Sequence, residues 1–252
     1  MSRHKSIFED LQVTTDGQSG IEMPIRLYRS EIVVSYFECG LEPLLPMMPH
    51  ERVHPVRRGN NRSALAMIQT HVQHGSIPPY RSVAIAIPVT LGKWPAPSYL
   101  PLWFEESWGN KGFYIYKEGV SSSEAFEART EIWGYPIFLA EINHQMLDPR
   151  TQETELIEEE RILTLRVKRP EYVREQDKEL KFYSIKQNIV CENKVKMQCS
   201  LTSSRSPEAS MVVFGKHPVG AQLKSMGIGP YSLETFYYFD AQAILPYPDY
   251  LD

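Results

Sequence analysis

The sequence lacks any long hydrophobic run and any excess of basic residues. No stretch reaches the roughly 18 consecutive apolar residues of a membrane-spanning helix, so we expect no membrane partner. The 252 residues include 27 lysines and arginines against 31 aspartates and glutamates, which gives a formal charge of −4. Nucleic-acid binding usually needs a basic excess. The composition therefore predicts a soluble globular protein that does not bind nucleic acid.

Cysteines are also few. Cys39, Cys191 and Cys199 are an odd number in a chain of this length and share no short metal-ligand spacing. The amino terminus carries positive charge but no apolar core of signal-peptide length. We therefore expect reduced thiols and a cytoplasmic protein.

The common motifs of cofactor chemistry are missing. The sequence contains no phosphate loop, no GxGxxG, no HExxH, no paired CxxC and no GxSxG, so we expect no cofactor. His71 and His74 are three residues apart, and on a strand such residues point to opposite faces. Polar residues at a strand end explain this pair better than a metal site, and no metal is expected.

Short β-type segments make up most of the chain. The 19 prolines and 14 glycines keep regular elements short, and the apolar runs are rich in Val, Ile, Tyr and Phe. These runs follow one another without helical crossovers, which favours a mostly antiparallel, closed or strongly curved sheet around one interior. The predicted strands are Glu31–Phe37, Ala64–His71, Ser82–Thr90, Gly112–Lys117, Phe138–His144, Arg161–Lys168, Phe182–Val190, Val195–Thr202, Met211–Phe214 and Thr235–Leu245.

Helical signals are few. The strongest covers Ser121–Arg129, where Ser121 and Glu124 fit an S-x-x-E capping box that satisfies amide donors at a helix start. Weaker signals cover Leu41–Met48 and Val219–Met226.

Two charged segments are predicted to be irregular. The acidic run Glu153–Glu160 is typical of a solvated turn, and Arg169–Lys181 is typical of a surface loop. Neither resembles a linker, because strand-like pattern continues on both sides. We therefore expect a single domain over residues 1–252, with residues 1–20 as a flexible segment.

The segment Glu127–Glu141, EARTEIWGYPIFLAE, leaves the predicted helix, turns and enters a strand. It resembles the acetoacetate decarboxylase family, whose members carry a Gly-Arg-Glu segment, an aromatic residue, a proline and then a lysine here. Glu131 matches the family glutamate, and Tyr135 with Pro136 matches the aromatic-proline step. Arg129 is offset by one position from the family arginine, where Thr130 stands.

The resemblance extends over some 220 residues. Ser30–Pro49 is similar to the first strand and short helix of the family, Pro79–Val89 to its tyrosine-containing turn and Ile-Pro-Val strand, and Phe236–Leu251 to its ending. It implies a mainly β fold, a cone-shaped antiparallel β-barrel with a few short helices around an apolar cavity. It also implies assembly as a homo-oligomer.

The resemblance implies that the family's covalent chemistry is absent. That chemistry uses a lysine that forms a Schiff base with a ketone and a second, adjacent lysine that keeps its amine unprotonated. The matching positions here are Ile137 and Phe138, and neither can form an imine. Lys93, Lys111, Lys117 and Lys186 lie near predicted strand ends, where exposure is the rule for lysine, so rescue by one of them is not expected.

Other polar groups of the family's cavity are also replaced in this sequence. The family glutamates fall on Ser82 and on Ala66 or Met67, which predicts a more apolar cavity for a larger, hydrophobic small molecule. The family's strand-edge arginine has a counterpart in Arg29, although the ungapped register puts Ser30 there.

The candidate site residues follow from this comparison and from the remaining polar groups. Strand alternation puts Gln69 and His71 on one face and Ala66 and Ile68 on the other, so the two sets cannot both face the cavity. A structural ion pair between Glu131 and Arg129 is the simpler reading of those two residues. The candidates are Glu131, Arg129 and His71 for catalysis and Arg29, Gln69, Tyr80, Ser82, Tyr135, Ile137 and Phe138 for substrate binding.

His144 and Glu141 are further polar candidates for the cavity. His144 is as well explained as a satisfied buried histidine, and Tyr80 as a turn anchor. Glu141 is a polar neighbour on the strand that follows. The segment Lys93–Gly109 has three tryptophans, Trp94, Trp103 and Trp108. It is predicted to form a lid over the cavity, and anchoring of these tryptophans at scattered positions in the core is the alternative.

These features favour an enzyme of specialised, polyketide-like metabolism. It would promote a cyclisation, dehydration, isomerisation or pericyclic step without a Schiff base, because a pocket that holds a flexible substrate in its reactive conformation can accelerate such reactions. Two alternatives stay open: a non-catalytic carrier of a hydrophobic ligand, and a lysine-independent decarboxylase of a β-keto acid.

Overall fold

The structure, a computed structural model, describes residues 6–9, 11–17, 19–98, 110–170 and 174–251. It consists mainly of strands, with two short α-helices, α1 (Ser123–Trp133) and α2 (Pro218–Ser225), and two 3-10 turns, Glu42–Met47 and Pro207–Ala209. The strands are β1 Thr14–Thr15, β2 Glu22–Met23, β3 Ile25–Gly40, β4 Val53–Pro55, β5 Arg62–Gly75, β6 Tyr80–Leu91, β7 Lys111–Val120, β8 Ile137–Leu139, β9 Glu141–Met146, β10 Thr151–Glu158, β11 Glu160–Lys168, β12 Arg174–Lys186, β13 Ile189–Ser204, β14 Ser210–Phe214, β15 Glu234–Leu245 and β16 Asp249–Leu251.

Seven strands close into a barrel in the order β6, β5, β3, β15, β13, β12 and β7, and β7 pairs back with β6. All neighbours in the barrel are antiparallel except β7 and β12, which pair in parallel through Phe113 with Phe182 and Tyr114 with Tyr183. The closed, mostly antiparallel barrel confirms the predicted fold class. The short strand β8 extends the sheet from β7, β4 from β6 and β16 from β13.

A second sheet of four antiparallel strands, in the order β14, β11, β10 and β9, packs against the outside of the barrel. Alternation along β5 divides its side chains between two cores. Ala66 and Ile68 belong to the barrel interior, whereas Leu65 and Met67 pack in the layer between the two sheets with Leu156 of β10. The predicted division of this strand into two faces is therefore confirmed.

The three predicted helical segments are all present, with one correction at the start of α1. Its N-cap is Ser122, whose hydroxyl accepts a hydrogen bond from the amide of Ala125. Ser121 was expected in that role, but its hydroxyl accepts from the amide of Arg81 on the barrel. The helix ends at Gly134, whose left-handed backbone (φ 65°) suits glycine because it has no Cβ.

Two charged segments predicted to be irregular are strands instead. The acidic run forms most of β10, and a turn at Glu159 follows it. Glu153 is mostly buried in this strand because Arg166 on β11 and Gln145 on β9 bind its carboxylate. Most of the segment Arg169–Lys181 lies in β12, and residues 171–173 are outside the described part of the chain.

Two predicted strands are interrupted. Gln187 and Asn188 adopt positive φ angles (53° and 64°) and form the turn between β12 and β13, so Phe182–Val190 is not one strand. Ala140 lies between β8 and β9 and divides Phe138–His144 in the same way.

Part of the amino-terminal segment has defined contacts. β1 pairs with β2, and the ring of Phe8 meets that of Tyr28 edge-on at 5.3 Å. Among the tryptophans of the expected lid, Trp94 is 76% exposed. Trp103 and Trp108 lie outside the described residues.

The three cysteines are buried and unpaired. In the part of the chain that the structure describes, none of the helices is both long and apolar enough to cross a membrane.

Candidate functional site

The barrel encloses a cavity whose wall is mostly apolar. Its volume is about 50 Å³. Its polar lining residues are Thr70, Glu118, Arg129, Tyr135 and Asn193, and its apolar ones include Leu27, Ile32, Ile68, Val195, Met197 and Leu245.

An ion pair between Glu118 of β7 and Arg129 of α1 forms the polar side of this cavity. The Nη1 of Arg129 donates to Oε1 and Oε2 of Glu118 at 2.7 and 2.9 Å, and its Nη2 donates to the hydroxyl of Tyr80 at 3.1 Å. The two charged side chains are only 12% and 2% exposed. A buried charge needs this kind of pairing, because leaving water without a partner costs several kcal/mol per ion.

A β-bulge turns Glu118 toward the cavity. Lys117 pairs with Ile85, but the next pair joins Ile115 to Ala86, so Tyr116 has no partner on β6. Before the bulge, Phe113 and Ile115 face the interior, and beyond it Val120 does. The extra residue shifts the alternation by one, so that Glu118 faces inward with Val120.

Sequence reasoning missed Glu118 for this reason. Regular alternation from Phe113 and Ile115 would direct Lys117 inward and Glu118 outward. The predicted strand also ended at Lys117, three residues before the end of β7 at Val120.

Tyr135 and Asn193 form the second polar pair of the cavity wall. The Nδ2 of Asn193 donates to the hydroxyl oxygen of Tyr135 at 3.2 Å, and both residues are buried. Because Tyr135 accepts this bond, its own O–H can donate to a ligand. The Oδ1 of Asn193 is buried and has no partner among the described residues.

Burial and neighbouring charges fix the protonation states of these groups. Burial raises the pKa of Tyr135 above its usual value, although Asn193 and Arg129 act in the opposite direction. Burial alone would lower the pKa of Arg129, but the Glu118 carboxylate and the Tyr80 hydroxyl outweigh this and raise it. At neutral pH the cavity therefore presents a neutral phenol and a guanidinium cation.

The two positions matched to the family lysines lie on opposite sides of the barrel wall. Ile137 is partly buried and packs against the interior core, whereas Phe138 packs against the layer between the sheets. No lysine of the described chain lines the cavity. Lys186, one of the four lysines considered for rescue, donates to the backbone oxygen of Glu131 instead.

Two of the predicted site residues that lie away from the barrel cavity are exposed. Glu131 is exposed and does not pair with Arg129, because α1 directs Arg129 toward Glu118. Arg29 is also exposed and forms an ion pair with Asp240 at 3.2 Å, while the adjacent Ser30 is buried and donates to the backbone oxygen of Ala241. We therefore correct both assignments.

Of the other candidates, Tyr80, Tyr135 and Arg129 are brought together at the barrel interior. His71, Gln69 and Ser82 instead line a separate, smaller cavity between the barrel and the four-stranded sheet, together with His144. His71 is therefore not part of the Arg129 cluster. Glu141 is exposed and accepts a hydrogen bond from Asn143.

Among the described residues, no group of three or more His, Cys, Asp or Glu side chains is arranged to hold a metal ion.

Comparison with known proteins gives matches only at the level of structure. No protein-family model and no curated protein matches the chain. An acetoacetate decarboxylase from Legionella pneumophila is 13% identical, with a TM-score of 0.63 over 91% of this chain and 87% of that one. An acetoacetate decarboxylase-like enzyme from Sphingomonas wittichii RW1 is 12% identical, with a TM-score of 0.52 over 91% and 93%.

The enduracididine biosynthesis enzyme MppR in complex with pyruvate is 10% identical, with a TM-score of 0.59 over 97% of this chain and 93% of that one. MppR is also known in complex with the condensation product of pyruvate and imidazole 4-carboxaldehyde. Identities this low establish the fold alone. The chain thus has the fold of the acetoacetate decarboxylase-like superfamily, as the sequence resemblance predicted.

Proposed function

We propose that the protein is an enzyme that binds a small enolisable carbonyl compound in the barrel cavity and catalyses proton transfer at the carbon next to the carbonyl, without forming an imine. Such a proton transfer is the first step of an isomerisation, dehydration or cyclisation. The observation that carries the proposal is the buried Glu118–Arg129 pair on the wall of a cavity in which no described residue is a lysine.

Arg129 and Tyr135 would stabilise the negative charge that develops on the substrate oxygen. Arginine has five N–H donors, and the bonds to Glu118 and Tyr80 use three of those on Arg129. The others, with the free O–H of Tyr135, are donors for an enolate oxygen. Donors that are already in place inside an apolar cavity are worth more than donors in water, because they need no reorganisation.

Glu118 would be the proton acceptor. Its carboxylate lines the cavity and has lone pairs beyond the two that Arg129 binds. A positioned general base of this kind contributes typically about 10²–10⁴-fold to the rate. The solved relatives support a carbonyl substrate, since MppR binds pyruvate and a condensation product of pyruvate.

The test is deuterium exchange at the carbon next to the carbonyl. Pyruvate, acetoacetate and acetylacetone are incubated with the protein in D2O, and exchange is followed by proton NMR. We expect exchange faster than the background for at least one of them, about 100-fold slower in Glu118→Gln. Tyr183→Phe is the matched control, because Tyr183 is a buried tyrosine that binds the Glu192 carboxylate in the outer layer. It should leave exchange unchanged.

Two outcomes would overturn the proposal. A borohydride-trapped adduct on any lysine, detected by mass spectrometry, would show imine chemistry. Exchange that is equally fast in Glu118→Gln would exclude Glu118 as the base.

A non-catalytic ligand carrier is the second candidate, and the mostly apolar wall of the cavity favours it. It predicts that hydrophobic small molecules bind with measurable heat in calorimetry while the protein accelerates no exchange and releases no carbon dioxide from β-keto acids. Release of carbon dioxide without a lysine adduct would instead support the decarboxylase alternative.

A further inference from the structure

A second cavity lies outside the barrel, in the layer between β5 and β6 of the barrel wall and β9 and β10 of the four-stranded sheet. It leaves about 20 Å³ for the centres of water-sized molecules. This space is enough for one or two waters or for one small ion. Its side chains are mainly polar, in contrast to the apolar packing that fills the rest of this layer.

Three hydrogen-bonding groups on this cavity's lining residues are buried and have no partner among the described residues. They are the Nε2 of Gln69, the Nε of Arg81 and the Oγ of Ser82. Gln69 is only 6% exposed. Two of the three atoms can only donate, and the hydroxyl can donate as well. An unsatisfied buried donor typically destabilises the folded state by about 1–3 kcal/mol. An acceptor bound to these three groups would therefore stabilise the protein.

Arg81 also has no carboxylate partner. Glu31 lines the same cavity, but the described chain contains no ion pair between the two. The Tyr237 hydroxyl donates to Oε1 of Gln152 at 2.6 Å and lies 3.4 Å from the Glu31 carboxylate. A half-buried guanidinium without an ion pair is unusual, since buried charges are normally paired.

Two histidines complete the lining. The rings of His71 and His144 lie 5.9 Å apart. Thr154 donates its only hydroxyl proton to Oε1 of Gln69 at 2.7 Å, so the Nδ1 of His144, 3.0 Å from the same hydroxyl, must be the donor. Neutral His144 therefore has its lone pair on Nε2, and protonation there would add one more donor to the site.

We propose that this cavity binds a small monovalent anion, of the size of chloride or formate, held by Arg81, Gln69 and Ser82. The anion would supply the missing charge partner of Arg81 and the acceptor for the buried donors. Although Glu31 and Arg81 are not paired, their charges sum to zero over the lining, so protonation of His71 or His144 makes the lining net positive. Binding of the anion and protonation of these histidines therefore favour each other, and affinity increases as the pH falls.

The site is distinct from the barrel cavity, although Thr70 lines both. It also bridges the two sheets, since Gln69 and Arg81 belong to the barrel whereas His144 and Thr154 belong to the outer sheet. Anion binding should therefore stabilise the contact between the sheets.

The test measures the thermal unfolding midpoint of the full chain at pH 6 during separate titrations with sodium chloride and sodium formate, at ionic strength held constant with sodium gluconate. We expect the midpoint to rise with the logarithm of the concentration of one or both small anions, as for any ligand specific to the folded state. Arg81→Gln should raise the apparent dissociation constant at least about tenfold, because charge-assisted bonds are the strong ones. Arg205→Gln, an exposed arginine paired with Glu234, is the charge-matched control and should behave like the unmodified protein.

Two measurements keep the proposal falsifiable if Arg81→Gln does not fold. The bound anion should raise the pKa of His71 and His144 in an imidazole NMR titration, and bromide soaked into crystals should give an anomalous peak in the cavity. If neither anion shifts the midpoint or the histidine titration, or if bromide is absent, the cavity holds water only and the proposal is overturned. If the unfolding midpoint rose equally with all salts in Arg81→Gln and Arg205→Gln, the rise would be a general salt effect. That result would also overturn the proposal.

Discussion

Arg129 and Glu118 are 11 residues apart in the chain and meet inside the barrel, where Nη1 of the arginine lies 2.7 and 2.9 Å from the two carboxylate oxygens. The pair joins α1 to β7 across the turn between them. It places both charges on the wall of a mostly apolar cavity, and no other described residue of that wall is charged.

Removal of one partner of this pair should destabilise the protein strongly. We expect Glu118→Leu or Arg129→Leu to lower the free energy of unfolding by about 3–5 kcal/mol each, because each leaves an uncompensated buried charge. The double variant should lose much less than the sum. Urea unfolding followed by circular dichroism measures this. The exposed pair Arg205 and Glu234 is the control, with an expected effect below about 1 kcal/mol. Additive losses in the double variant would contradict the prediction.

Stability should fall in mild acid because of the histidine pair. Burial, and then the charge of Arg81, lower the pKa of both His71 and His144 from the usual 6.5. The unfolded chain therefore binds more protons below that pH, so the stabilisation is complete above pH 6.5 and is lost as the pH falls through the lowered values.

The measurement is the midpoint of urea unfolding at pH values between 7.5 and 5, with sodium gluconate as the salt. His71→Gln and His144→Gln should each flatten the decline, and His74→Gln, an exposed neighbour on β5, should not. An unchanged slope in both of the first two variants would assign the decline to other groups.

The contact between the parallel strands β7 and β12 should not tolerate a side chain at Gly112. A Cβ there would lie 2.5 Å from the backbone oxygen of Lys181 and 2.6 Å from the Tyr183 ring, and backbone atoms of β12 cannot move aside cheaply. We expect Gly112→Ala to lower the free energy of unfolding by about 1–3 kcal/mol, as measured by urea unfolding. Gly229→Ala is the control, since nothing lies within 4 Å of its Cβ position. Equal stability of the two variants would refute the close approach.

A lysine at position 137 should regain the ability to form an imine. Ile137 packs against the interior core, so an amine there would be partly desolvated and close to apolar neighbours. This lowers the pKa of the amine, so that more of it is unprotonated and able to attack a carbonyl. We expect Ile137→Lys, incubated with acetoacetate and borohydride, to give a trapped adduct by mass spectrometry that the unmodified protein does not give. Leu139→Lys on the same strand is the control, because Leu139 is 54% exposed. An equal yield from both variants would mean that the adduct reflects general lysine reactivity.

The fold was largely predictable from the sequence because alternation and turn residues act locally. Most strands of the barrel, α1 and α2 lie where these signals predict them. The exception in the barrel is β12, most of which lies in the segment expected to be a surface loop. β10 was missed because its acidic residues are satisfied by partners distant in sequence, such as Arg166 for Glu153, and no local pattern contains that information.

The site was less predictable. Tyr80, Arg129 and Tyr135 were selected and do meet at the barrel interior. Glu118 was not selected because the bulge at Tyr116 reverses the alternation only where β7 pairs with β6. Glu131 was selected from the family resemblance, but it lies on the exposed face of α1. Alternation correctly placed His71 and Gln69 on the face opposite Ala66 and Ile68. Both were nevertheless selected for the barrel site, and they line the outer cavity instead, because the sheet that covers them is a tertiary feature.

The bulge at Tyr116 means that pairing register as well as residue identity decides which chemistry the barrel contains. If β7 paired regularly with β6 beyond Ile115, Lys117 would replace Glu118 at the inner wall, an ammonium for a carboxylate, with no substitution at either position. A shift of register by one residue could therefore exchange one charged group for its opposite in this cavity.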